Sequence, residues 1–392
     1  MENILVIGGK DFMMKCMVDL GLKFTLVQFP GQVTPFQKEH ANFIVERDYP
    51  NTSPTEILAL LPKNNRFEVV VSFTEYGLSC AADIASELGV PSNCDIEAIA
   101  MTKDKLAFRK ILEKYHINNV PFTPIYSEAD IADFLKQHGK IIVKPSQGAG
   151  SFGIHLVTSE SEAKKAFEHA IQAKMGNIMA EAFIEGPEYS IESISKNGQH
   201  EVVAITEKAT TGAPYFVESG HSQPAELCVD IEKKITEFTI ELLNIIEHKT
   251  GPCHTEVKIY ENQIYIIETQ TRSGGDNIWL MTHLTSGTDL FKETVTTLLN
   301  LPCQIREPVS NAAAVKYFMP DTAVSAGIES RIDKIGNIND VVDLHINLEL
   351  FNACHSSSSS LDRAGYVVTS AETRSAALTL ADNVVNTIVK GQ

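Results

Sequence analysis

The chain has 392 residues, of which 43% are hydrophobic and 21% are charged. This length and composition favour a globular protein of two or three domains. The 33 Lys and Arg residues stand against 50 Asp and Glu residues, so the net charge is −17. Nucleic acids and anionic membranes bind basic surfaces, and this charge therefore argues against both as partners.

Cysteine usage and hydropathy indicate a reducing, aqueous compartment. The seven cysteines are scattered and include no C-x-x-C pair, which is typical of free thiols rather than of a disulfide framework or a zinc site. The start MENILVIGG has neither the basic residues nor the long apolar stretch of a signal peptide. No apolar run reaches the roughly 18 residues that a membrane span needs. We therefore expect a cytoplasmic protein.

The first 98 residues predict a small parallel α/β domain. ILVIGG, FTLVQF and FEVVVSF read as strands, and helical patterns separate or follow them. In the helix SPTEILALL, Ser53 is the predicted N-cap and Pro54 the first helical residue. Strands that alternate with helices form parallel sheets covered on both faces. The first turn, IGGKDF, does not fit a dinucleotide-binding fingerprint.

From residue 99 to about residue 305, helices flank a long β-rich stretch. One helix follows TKDK, and another runs from the cap Ser127 to Gly139. Strand signals fill 140–207 around a helix in 160–175, and then come a helix over 230–249, a hairpin over 254–270 and two helical segments. Short strands and a closing helix follow residue 311. The run HSSSSS at 355–360 is either a polar loop or a flexible loop that faces a site.

The stretch KPSQGAGSFG contains the pattern G-x-G-x-x-G at Gly148, Gly150 and Gly153. A dinucleotide site needs a helix after the glycines, but the alternating segment IHLVTS predicts a second strand. No Lys-Ser or Lys-Thr follows, so the P-loop pattern also fails. A glycine-rich hairpin tip can fold over nucleotide phosphates, with Lys144 as a nearby cation. The loop alone leaves an ordinary flexible hairpin open.

The segment HTEVKIYENQIYIIETQTRSGGD, residues 254–276, predicts a two-faced hairpin because apolar and polar residues alternate. The apolar face, which we expect to meet the core, holds Val257, Ile259, Tyr265 and Ile267. The polar face holds His254, Glu256, Lys258, Glu268, Gln270 and Arg272.

The hairpin register brings two acids together. If Tyr260 pairs with Ile264 around a three-residue loop, Glu256 lies directly opposite Glu268, with Cβ atoms roughly 4.5–5.5 Å apart. Two carboxylates at that distance repel by about 3 kcal/mol at an effective dielectric constant of about 20. Mg²⁺ would relieve this repulsion, and Gln270 could add a third oxygen ligand. The alternative is a solvated face whose acids pair with a lysine of the same face.

In order and spacing these motifs resemble the ATP-grasp superfamily, and within it the carboxylate–amine ligases. The resemblance covers nearly the whole chain. It implies an α/β and α+β fold: a Rossmann-like domain over 1–98, an ATP-grasp domain over 99–305 with a glycine-hairpin lid at about 115–185, and a C-terminal α+β portion over 306–392. In such enzymes ATP lies between two antiparallel β structures.

The resemblance also implies which residues bind the nucleotide. Glu181, Phe183 and Ile184 would form the hinge beside adenine, and Glu188 would hold the ribose hydroxyls. The two lysines and the lid would contact the phosphates. In chain order the nucleotide-binding candidates are Lys105, Lys144, Ser151, Phe152, Gly153, Glu181, Phe183, Ile184 and Glu188.

The metal and catalytic candidates follow from the same resemblance. Glu256 and Glu268 match the carboxylates that hold Mg²⁺, with Mn²⁺ as an alternative ion. Gln270 stands where the family usually has Asn in E-x-N-x-R, and its extra methylene would displace or weaken a second metal. Arg272 matches the arginine that steadies the acyl phosphate, and Arg272 and Lys144 are the catalytic candidates.

Candidate substrate contacts lie in three further segments. The segment VESGHSQPAEL, residues 217–227, resembles a loop of ligases that join amino acids. There His221 would contact either substrate, unless the segment is only a turn before the long helix. Glu75 follows the third predicted strand, where open α/β sheets bind ligands, and could hold a substrate ammonium. Gly274 and Gly275 of the SGGD turn, with Arg272, complete the set.

The resemblance implies an ATP-dependent ligase for a small-molecule carboxylate and a small-molecule amine, with amino acids as the expected substrates. The carboxylate would attack the γ-phosphate, and the amine would displace phosphate from the acyl phosphate. Three alternatives remain open: a carboxylase of the same fold that activates bicarbonate, a purine-pathway ligase and a non-catalytic ATP-binding module. A homodimer also remains open, because dimers are frequent in the family.

Overall fold

The computed structural model describes residues 3–63, 66–117, 120–148, 153–213, 215–302, 305–320, 328–335, 338–353, 357 and 359–390. Ser151 and Phe152 of the predicted lid lie outside these ranges, as do Cys303 and Cys354. The cysteines within them are unpaired, as the sequence predicts. Across the described ranges, no helix is both long enough and apolar enough to span a bilayer.

The N-terminal sheet is parallel, with the strand order β3-β2-β1-β4. Buried apolar clusters cover both of its faces, and Ser53 caps a helix that begins at Pro54, as predicted. The strand β3 was not predicted, so FEVVVSF supplies the fourth strand and not the third. The elements are β1 Asn3–Ile7, α1 Asp11–Asp19, β2 Lys23–Gln28, α2 Pro35–His40, β3 Phe43–Glu46, α3 Pro54–Leu60, β4 Val69–Val71 and α4 Leu78–Leu88.

A second, antiparallel sheet of order β5-β8-β6-β7 carries the glycine loop. Because β6 and β7 pair antiparallel on either side of that loop, the loop joins two strands of a hairpin, as predicted. Helices α7 and α8 cover this sheet through one buried cluster. The elements are α5 Ile96–Lys103, α6 Lys105–Lys114, β5 Phe122–Ile125, α7 Glu128–His138, β6 Ile141–Pro145, β7 His155–Val157, α8 Ala163–Gln172 and β8 Ile178–Ala182. We call this sheet and its two helices the lid.

The third sheet is antiparallel and draws strands from both the central and the C-terminal parts of the chain. Its central elements are β9 Glu188–Lys196, β10 Gln199–Thr210, β11 Glu218–Gln223, α9 Val229–Ile245, β12 Gly251–Tyr260, β13 Gln263–Gln270, α10 Ile278–Ser286 and α11 Leu290–Leu298. Its C-terminal elements are β14 Ala312–Phe318, α12 Ile328–Ile335, β15 Val341–Ile346, α13 Leu348–Ala353, β16 Gly365–Ala371 and α14 Arg374–Lys390.

The strand order of this large sheet is β13-β12-β9-β10-β11-β14-β16-β15. In this region the structure differs from the sequence-based expectations in two places. Residues 218–223 form the strand β11 at the centre of the sheet, where the sequence left a simple turn open. The helix α9 ends at Ile245, four residues before the predicted end. His221 therefore lies on a strand.

The hairpin β12–β13 has the predicted acid pair but a different tip. Tyr260 pairs with Gln263 around the two-residue loop of Glu261 and Asn262, so the predicted pairing of Tyr260 with Ile264 is wrong. Both loop residues have positive φ, 49° and 60°, as in a type I′ turn. A register shift follows between Glu256 and Val257. The two deviations cancel, and Glu256 lies opposite Glu268 as predicted.

The same bulge changes which side chains of β13 face the core. Ile264 and Ile266 are buried, whereas Tyr265 and Ile267 are only partly buried, so the prediction for Tyr265 and Ile267 is wrong. A bulge shifts the alternation of side chains by one position. Ile267 consequently lines the cavity described next.

Candidate functional site

A cavity of about 350 Å³ lies between the lid and the large sheet. This volume is within the range of small-molecule sites. Most of the predicted site residues line it: Lys105, Lys144, Glu181, Phe183, Ile184, Glu188, His221, Glu256, Glu268, Gln270, Arg272 and Gly275. Residues that are far apart in the sequence therefore meet at a single place.

Among the predicted residues that the structure describes, three do not line this cavity. Gly153 packs against the lid, because a Cβ placed on it would lie 2.9 Å from the Cβ of Ala173. Gly274 lies behind the cavity, where its amide donates to Glu192 Oε2 at 2.9 Å. Glu75 lines a narrower adjoining cleft, together with Lys105 and other residues.

The two predicted phosphate lysines are each paired with an acid. Lys105 Nζ donates to the carbonyl of Gly148 at 2.8 Å and lies 3.1 Å from Glu268 Oε2. Lys144 Nζ lies 2.6 Å from Glu181 Oε2. Both ammonium groups thus reach the cavity, one from the start of α6 and the other from the end of β6.

Glu181 is the centre of a buried ionic cluster that the sequence did not reveal. Arg109 Nε donates to Glu181 Oε1 at 2.7 Å, and the same guanidinium donates to the carbonyls of Ile266 and Ile267 at 2.6 and 2.9 Å. Burial alone would raise the pKa of Glu181, but Arg109 and Lys144 lower it to about 2. Burial lowers the pKa of Lys144. The only sequence signal for Arg109 is its spacing of four residues from Lys105 on a helix.

One end of the cavity is mostly apolar and suits a flat ring. The ring centroids of Phe183 and Phe216 lie 5.6 Å apart. Lys258 Nζ lies 4.8 Å from the Phe183 centroid and donates to the carbonyl of Ile184 at 3.2 Å. Val120, Ile142 and Ile154 complete this end of the lining.

The opposed carboxylates of the hairpin occupy the middle of the cavity. Glu256 Oε1 accepts from Lys208 Nζ at 2.6 Å and from His254 Nε2 at 3.1 Å. Gln270 donates its side-chain amide to Glu268. Burial raises the pKa of Glu256, but Lys208 and His254 hold it well below its usual range. Glu256 therefore carries a negative charge in a confined space.

Lys208 was also missed by sequence reasoning. It lies 2.7 Å from Glu188 and 4.0 Å from Glu218 in addition to Glu256. Burial lowers its pKa, but these acids raise it well above its ordinary value. No local pattern marks Lys208, because it meets Glu256 only through the pairing of β10 and β12 with β9.

The donor set fits a divalent cation that arrives with a nucleotide. Glu256, Glu268 and the carbonyl of Gln270 are hard oxygen donors, which Mg²⁺ prefers. In the part of the chain that the structure describes, no group of three His, Cys, Asp or Glu side chains forms a ready metal cage. A cation here would therefore take its remaining ligands from phosphate oxygens and water.

A buried ion pair lies directly behind Glu256. Glu192 and His254 are 0% and 5% exposed, and His254 Nδ1 hydrogen-bonds Glu192. Burial lowers the pKa of His254, but Glu192 and Glu256 raise it to about 9. The imidazole is therefore charged at neutral pH.

At the other end of the cavity, residues from different parts of the chain meet. Arg272 Nε donates to Glu75 Oε2 at 2.8 Å, so the end of the N-terminal parallel sheet meets the loop after β13. That position of Glu75, past the carboxyl end of β4, is where the sequence predicted a ligand contact. Arg272 itself lines the cavity.

His221 lies nearby with both of its ring nitrogens lacking a hydrogen-bond partner within the described ranges. It is 2% exposed, and its Nε2 lies 3.6 Å from Asp276 Oδ2. Arg363 binds Asp276 through two contacts of 2.9 and 2.6 Å and stacks 3.8 Å above the ring of Tyr317. Burial raises the pKa of Asp276, but His221 and Arg363 hold it below its usual range.

The C-terminal part contributes one more cavity residue. Ser360, the last residue of the run HSSSSS, lines the cavity and donates a hydrogen bond to Glu218. Of the two interpretations of that run, the site-facing position holds for Ser360, which begins a short 3₁₀ helix rather than lying in a loop. Arg363 and Asp276 were not predicted, since nothing near either residue in the sequence indicates their pairing.

A glycine-hairpin lid over an antiparallel sheet, with lysines and opposed carboxylates between them, defines the ATP-grasp class of fold. Residues 138–280 match the ATP-grasp domain family. This match confirms the resemblance of the motifs to the ATP-grasp superfamily over that part of the chain.

Three known proteins illustrate the similarity. A D-alanine–D-alanine ligase of Flavobacterium johnsoniae is 29% identical over 197 residues, which are 48% of this chain and 60% of that ligase. The alignment thus spans less than two thirds of the relative. An L-amino acid ligase of Bacillus licheniformis has the same fold, with a TM-score of 0.79, 19% identity and coverage of 98% and 97% of the two chains. An N5-carboxyaminoimidazole ribonucleotide synthetase in complex with ADP has a TM-score of 0.78, 15% identity and coverage of 99% and 98%.

Proposed function

We propose that this protein is an ATP-dependent carboxylate–amine ligase that joins small substrates, amino acids in particular, through an acyl phosphate. The observation that carries the proposal is the opposed pair Glu256 and Glu268, which shares one cavity with Lys105, Lys144 and Arg272. Phosphoryl transfer needs positioning and charge neutralisation more than covalent catalysis. These side chains supply both.

The residues on the phosphate side would have two roles, phosphate binding and metal binding. Lys105, Lys144 and Lys208 would bind phosphate oxygens after leaving their present acidic partners. Glu256, Glu268 and Gln270 would hold Mg²⁺, or Mn²⁺ in its place. That ion would supply charge neutralisation between the phosphoryl oxygens.

The apolar end would hold adenine. Phe183 and Ile184 would pack against the ring together with Phe216, and Glu188 would accept from the ribose hydroxyls. Glu181 would act chiefly through Lys144 and Arg109, which it holds in place. In the lid, Ser151, Phe152 and Gly153 remain candidates for covering the phosphates.

Arg272 would neutralise the acyl phosphate as it forms and decays. The substrates would lie beyond it, near Glu75, His221, Gly274 and Gly275. His221 supports this placement, because it is buried, lines the cavity and has no hydrogen-bond partner on either ring nitrogen among the described residues. Closure of the lid would exclude water, which otherwise hydrolyses an acyl phosphate.

The test is phosphate release from MgATP by the purified protein, with amino acids added singly and in pairs. Glu268→Gln serves as the blank, because it keeps the shape of the side chain and removes one metal carboxylate. We expect release that requires particular amino acids and that vanishes in the blank. Release that no amino acid increases above the blank would refute the proposal.

The main alternative function is that of a carboxylase or purine-pathway ligase of the same fold. The carboxyaminoimidazole ribonucleotide synthetase, which shares this fold, is the reason to consider it. A phosphoribosyl substrate would favour unpaired cations at the substrate end. Here Arg272 and Arg363 are both paired with acids, Glu75 and Asp276. Bicarbonate-dependent ATP cleavage that is insensitive to amino acids would favour this rival, and no cleavage at all would favour a non-catalytic ATP-binding module.

The wider expectations belong to the same proposal. They are the domain limits 1–98, 99–305 and 306–392 and a cytoplasmic location, with a homodimer left open. Size-exclusion chromatography with light scattering measures the last of these directly.

A further inference from the structure

Glu192 and His254 form a charged pair inside the large sheet, on the adjacent strands β9 and β12. They are directly paired in the strand register, and water reaches almost none of their surface. Burying two ionised groups is expensive unless each is fully hydrogen-bonded. Because this pair is costly to bury and lies next to a candidate metal carboxylate, we look for a functional role in addition to packing.

The hydrogen bonds of the pair point in two directions. His254 Nδ1 contacts Glu192 and His254 Nε2 contacts Glu256. Both partners are carboxylates, which only accept, so both ring nitrogens donate. The second oxygen of Glu192 accepts from the backbone amide of Gly274 at 2.9 Å. A continuous chain of hydrogen bonds therefore runs from Glu256 to the turn that follows Arg272.

The turn has little room to move against this pair. A Cβ placed on Gly274 would lie 2.7 Å from Glu192 Oε1 and 2.7 Å from His254 Nδ1. Lys208 also holds Glu256, but it is shared with Glu188 at a similar distance, 2.7 Å. His254 Nε2 contacts the same oxygen of Glu256 at 3.1 Å and, unlike Lys208, is linked through Glu192 to the turn.

We infer that Glu192 and His254 are positioning residues that hold the metal carboxylate Glu256 and the substrate-side turn at 273–276 in one fixed arrangement. The inference rests on the proposed function, because it takes Glu256 as a metal ligand. It goes beyond that function by coupling the metal side of the site to the side where the substrates bind. His254 lines the cavity and Glu192 does not, and the inference gives both residues a role through Glu256 and the turn rather than through the reacting atoms.

The test measures metal binding without turnover. Mn²⁺ binding in the presence of a non-hydrolysable ATP analogue is followed by electron paramagnetic resonance for the wild type, His254→Gln and Glu192→Gln. We expect each variant to bind Mn²⁺ about 10- to 100-fold more weakly, the range typical of residues that orient a metal ligand. In steady-state assays the same variants should raise the Mg²⁺ concentration that gives half-maximal rate.

A double variant separates positioning from simple destabilisation. Because Glu192 acts through His254, the variant that carries both changes should bind Mn²⁺ about as weakly as His254→Gln alone, whereas independent effects would multiply. His248→Gln is the matched control. His248 is 1% exposed and hydrogen-bonds the carbonyl of Gly251 at 3.2 Å, but it does not line the cavity. This control should lower the melting temperature and leave Mn²⁺ binding unchanged.

The outcomes are distinct. Wild-type protein that fails to bind Mn²⁺ with the nucleotide analogue would refute the proposed function itself. Normal wild-type binding, with variants that bind equally well, would overturn only the inference about Glu192 and His254. Multiplicative losses in the double variant, or a loss of Mn²⁺ affinity in His248→Gln equal to that in His254→Gln, would also overturn it.

Discussion

Arg109 is a buried guanidinium that joins α6 to β8 and β13. It binds the Glu181 carboxylate and two backbone carbonyls of β13, those of Ile266 and Ile267. Arg109→Met keeps much of the side-chain volume but leaves these acceptors without that donor. Removing one partner of a buried ion pair costs about 3–5 kcal/mol.

We therefore expect Arg109→Met to lose about 3–5 kcal/mol of unfolding free energy, measured as a shift of the urea midpoint. Arg306→Met is the matched control, because Arg306 pairs with Glu293 and Glu201 nearer the surface. Its loss should stay near 1 kcal/mol, the scale of exposed pairs. Equal losses in both variants would show that burial of Arg109 has no special role.

Glu181 gives a pH dependence with a definite sign. Its pKa is about 2 in the folded protein and 4.5 as its ordinary value, so the unfolded chain binds a proton first as the pH falls. The stabilisation is fully present above pH 4.5 and is lost as the pH falls towards 2. A shift of this size corresponds to about 3 kcal/mol at most.

The comparison is between wild type and Glu181→Gln in urea unfolding at several pH values. The difference in unfolding free energy between the two proteins should shrink between pH 4.5 and 2, because only the wild type can take up that proton. A difference that stays constant over this window would contradict the assignment of the low pKa to Glu181.

At the scale of elements, the residues at the tip of the β12–β13 hairpin are not the ones that best stabilise its turn. Glu261 and Asn262 both have positive φ, a conformation that suits Asn and Gly. Changing them to Asn and Gly should raise the unfolding free energy by about 0.5–1 kcal/mol, measured by thermal and chemical denaturation. ATP binding should not change. A fall in stability would mean that the loop is not a type I′ turn in solution.

The turn after Arg272 offers a paired test of crowding. A Cβ on Gly274 would meet Glu192 and His254 at 2.7 Å, whereas one on Gly275 would meet nothing within 4 Å. Gly274→Ala should lower the unfolding free energy by about 1–3 kcal/mol, as overpacking does. Gly275→Ala should leave the melting temperature close to that of the wild type. Equal melting temperatures for the two variants would contradict the close approach at Gly274.

The same hairpin shows how far the sequence could predict this structure. Alternation of polar and apolar residues predicted the opposition of Glu256 and Glu268, because it reports the faces of a strand. It placed the turn one residue off and missed the bulge, since bulges leave no composition signal of their own. The two errors cancelled at the acids. They persisted at Tyr265, which lies between the turn and the bulge, and at Ile267, which the register skips at the bulge.

Other misses share a cause in long-range pairing. The strand β3 is only four residues long, and β11 contains Gly220 and His221 where strands usually favour β-branched or aromatic residues. Lys208 and Arg363 reach the site through sheet pairing and the C-terminal fold, over 48 and 87 residues of separation from Glu256 and Asp276. No local window contains both partners.

At the scale of the whole molecule, all three parts of the chain meet at the end of the cavity where we propose that the substrates bind. Glu75 comes from the N-terminal parallel domain, Arg272 and Asp276 from the region after β13, and Arg363 from the C-terminal part. Arg363→Ala should leave Asp276 without its main cation. We expect KM for the amino-acid substrate to rise by about 10-fold, since losing a buried partner is worth more than 1.4 kcal/mol.

KM for ATP should hardly change in Arg363→Ala, because Arg363 contacts Asp276 and Tyr317 and does not itself line the cavity. Lys316→Ala is a control from the same part of the chain, where Lys316 pairs with Asp382 near the surface. It should alter neither constant. Equal increases in both KM values for Arg363→Ala would point to general disruption of the fold rather than to the substrate end.

The pairing of three cavity lysines with cavity acids has a consequence for how the nucleotide and the metal ion affect each other's binding. Lys105, Lys144 and Lys208 now balance Glu268, Glu181 and Glu256. A polyphosphate without a metal ion would draw Lys105 and Lys208 away and leave Glu268 and Glu256 without a cationic partner. A metal ion without the nucleotide would bind those acids and leave the two lysines without an anionic partner. Each ligand is therefore expected to strengthen the binding of the other by the same factor, as linkage requires. In the ligand-free site the lysines and acids neutralise one another, and the polyphosphate and the metal ion would replace these pairings together.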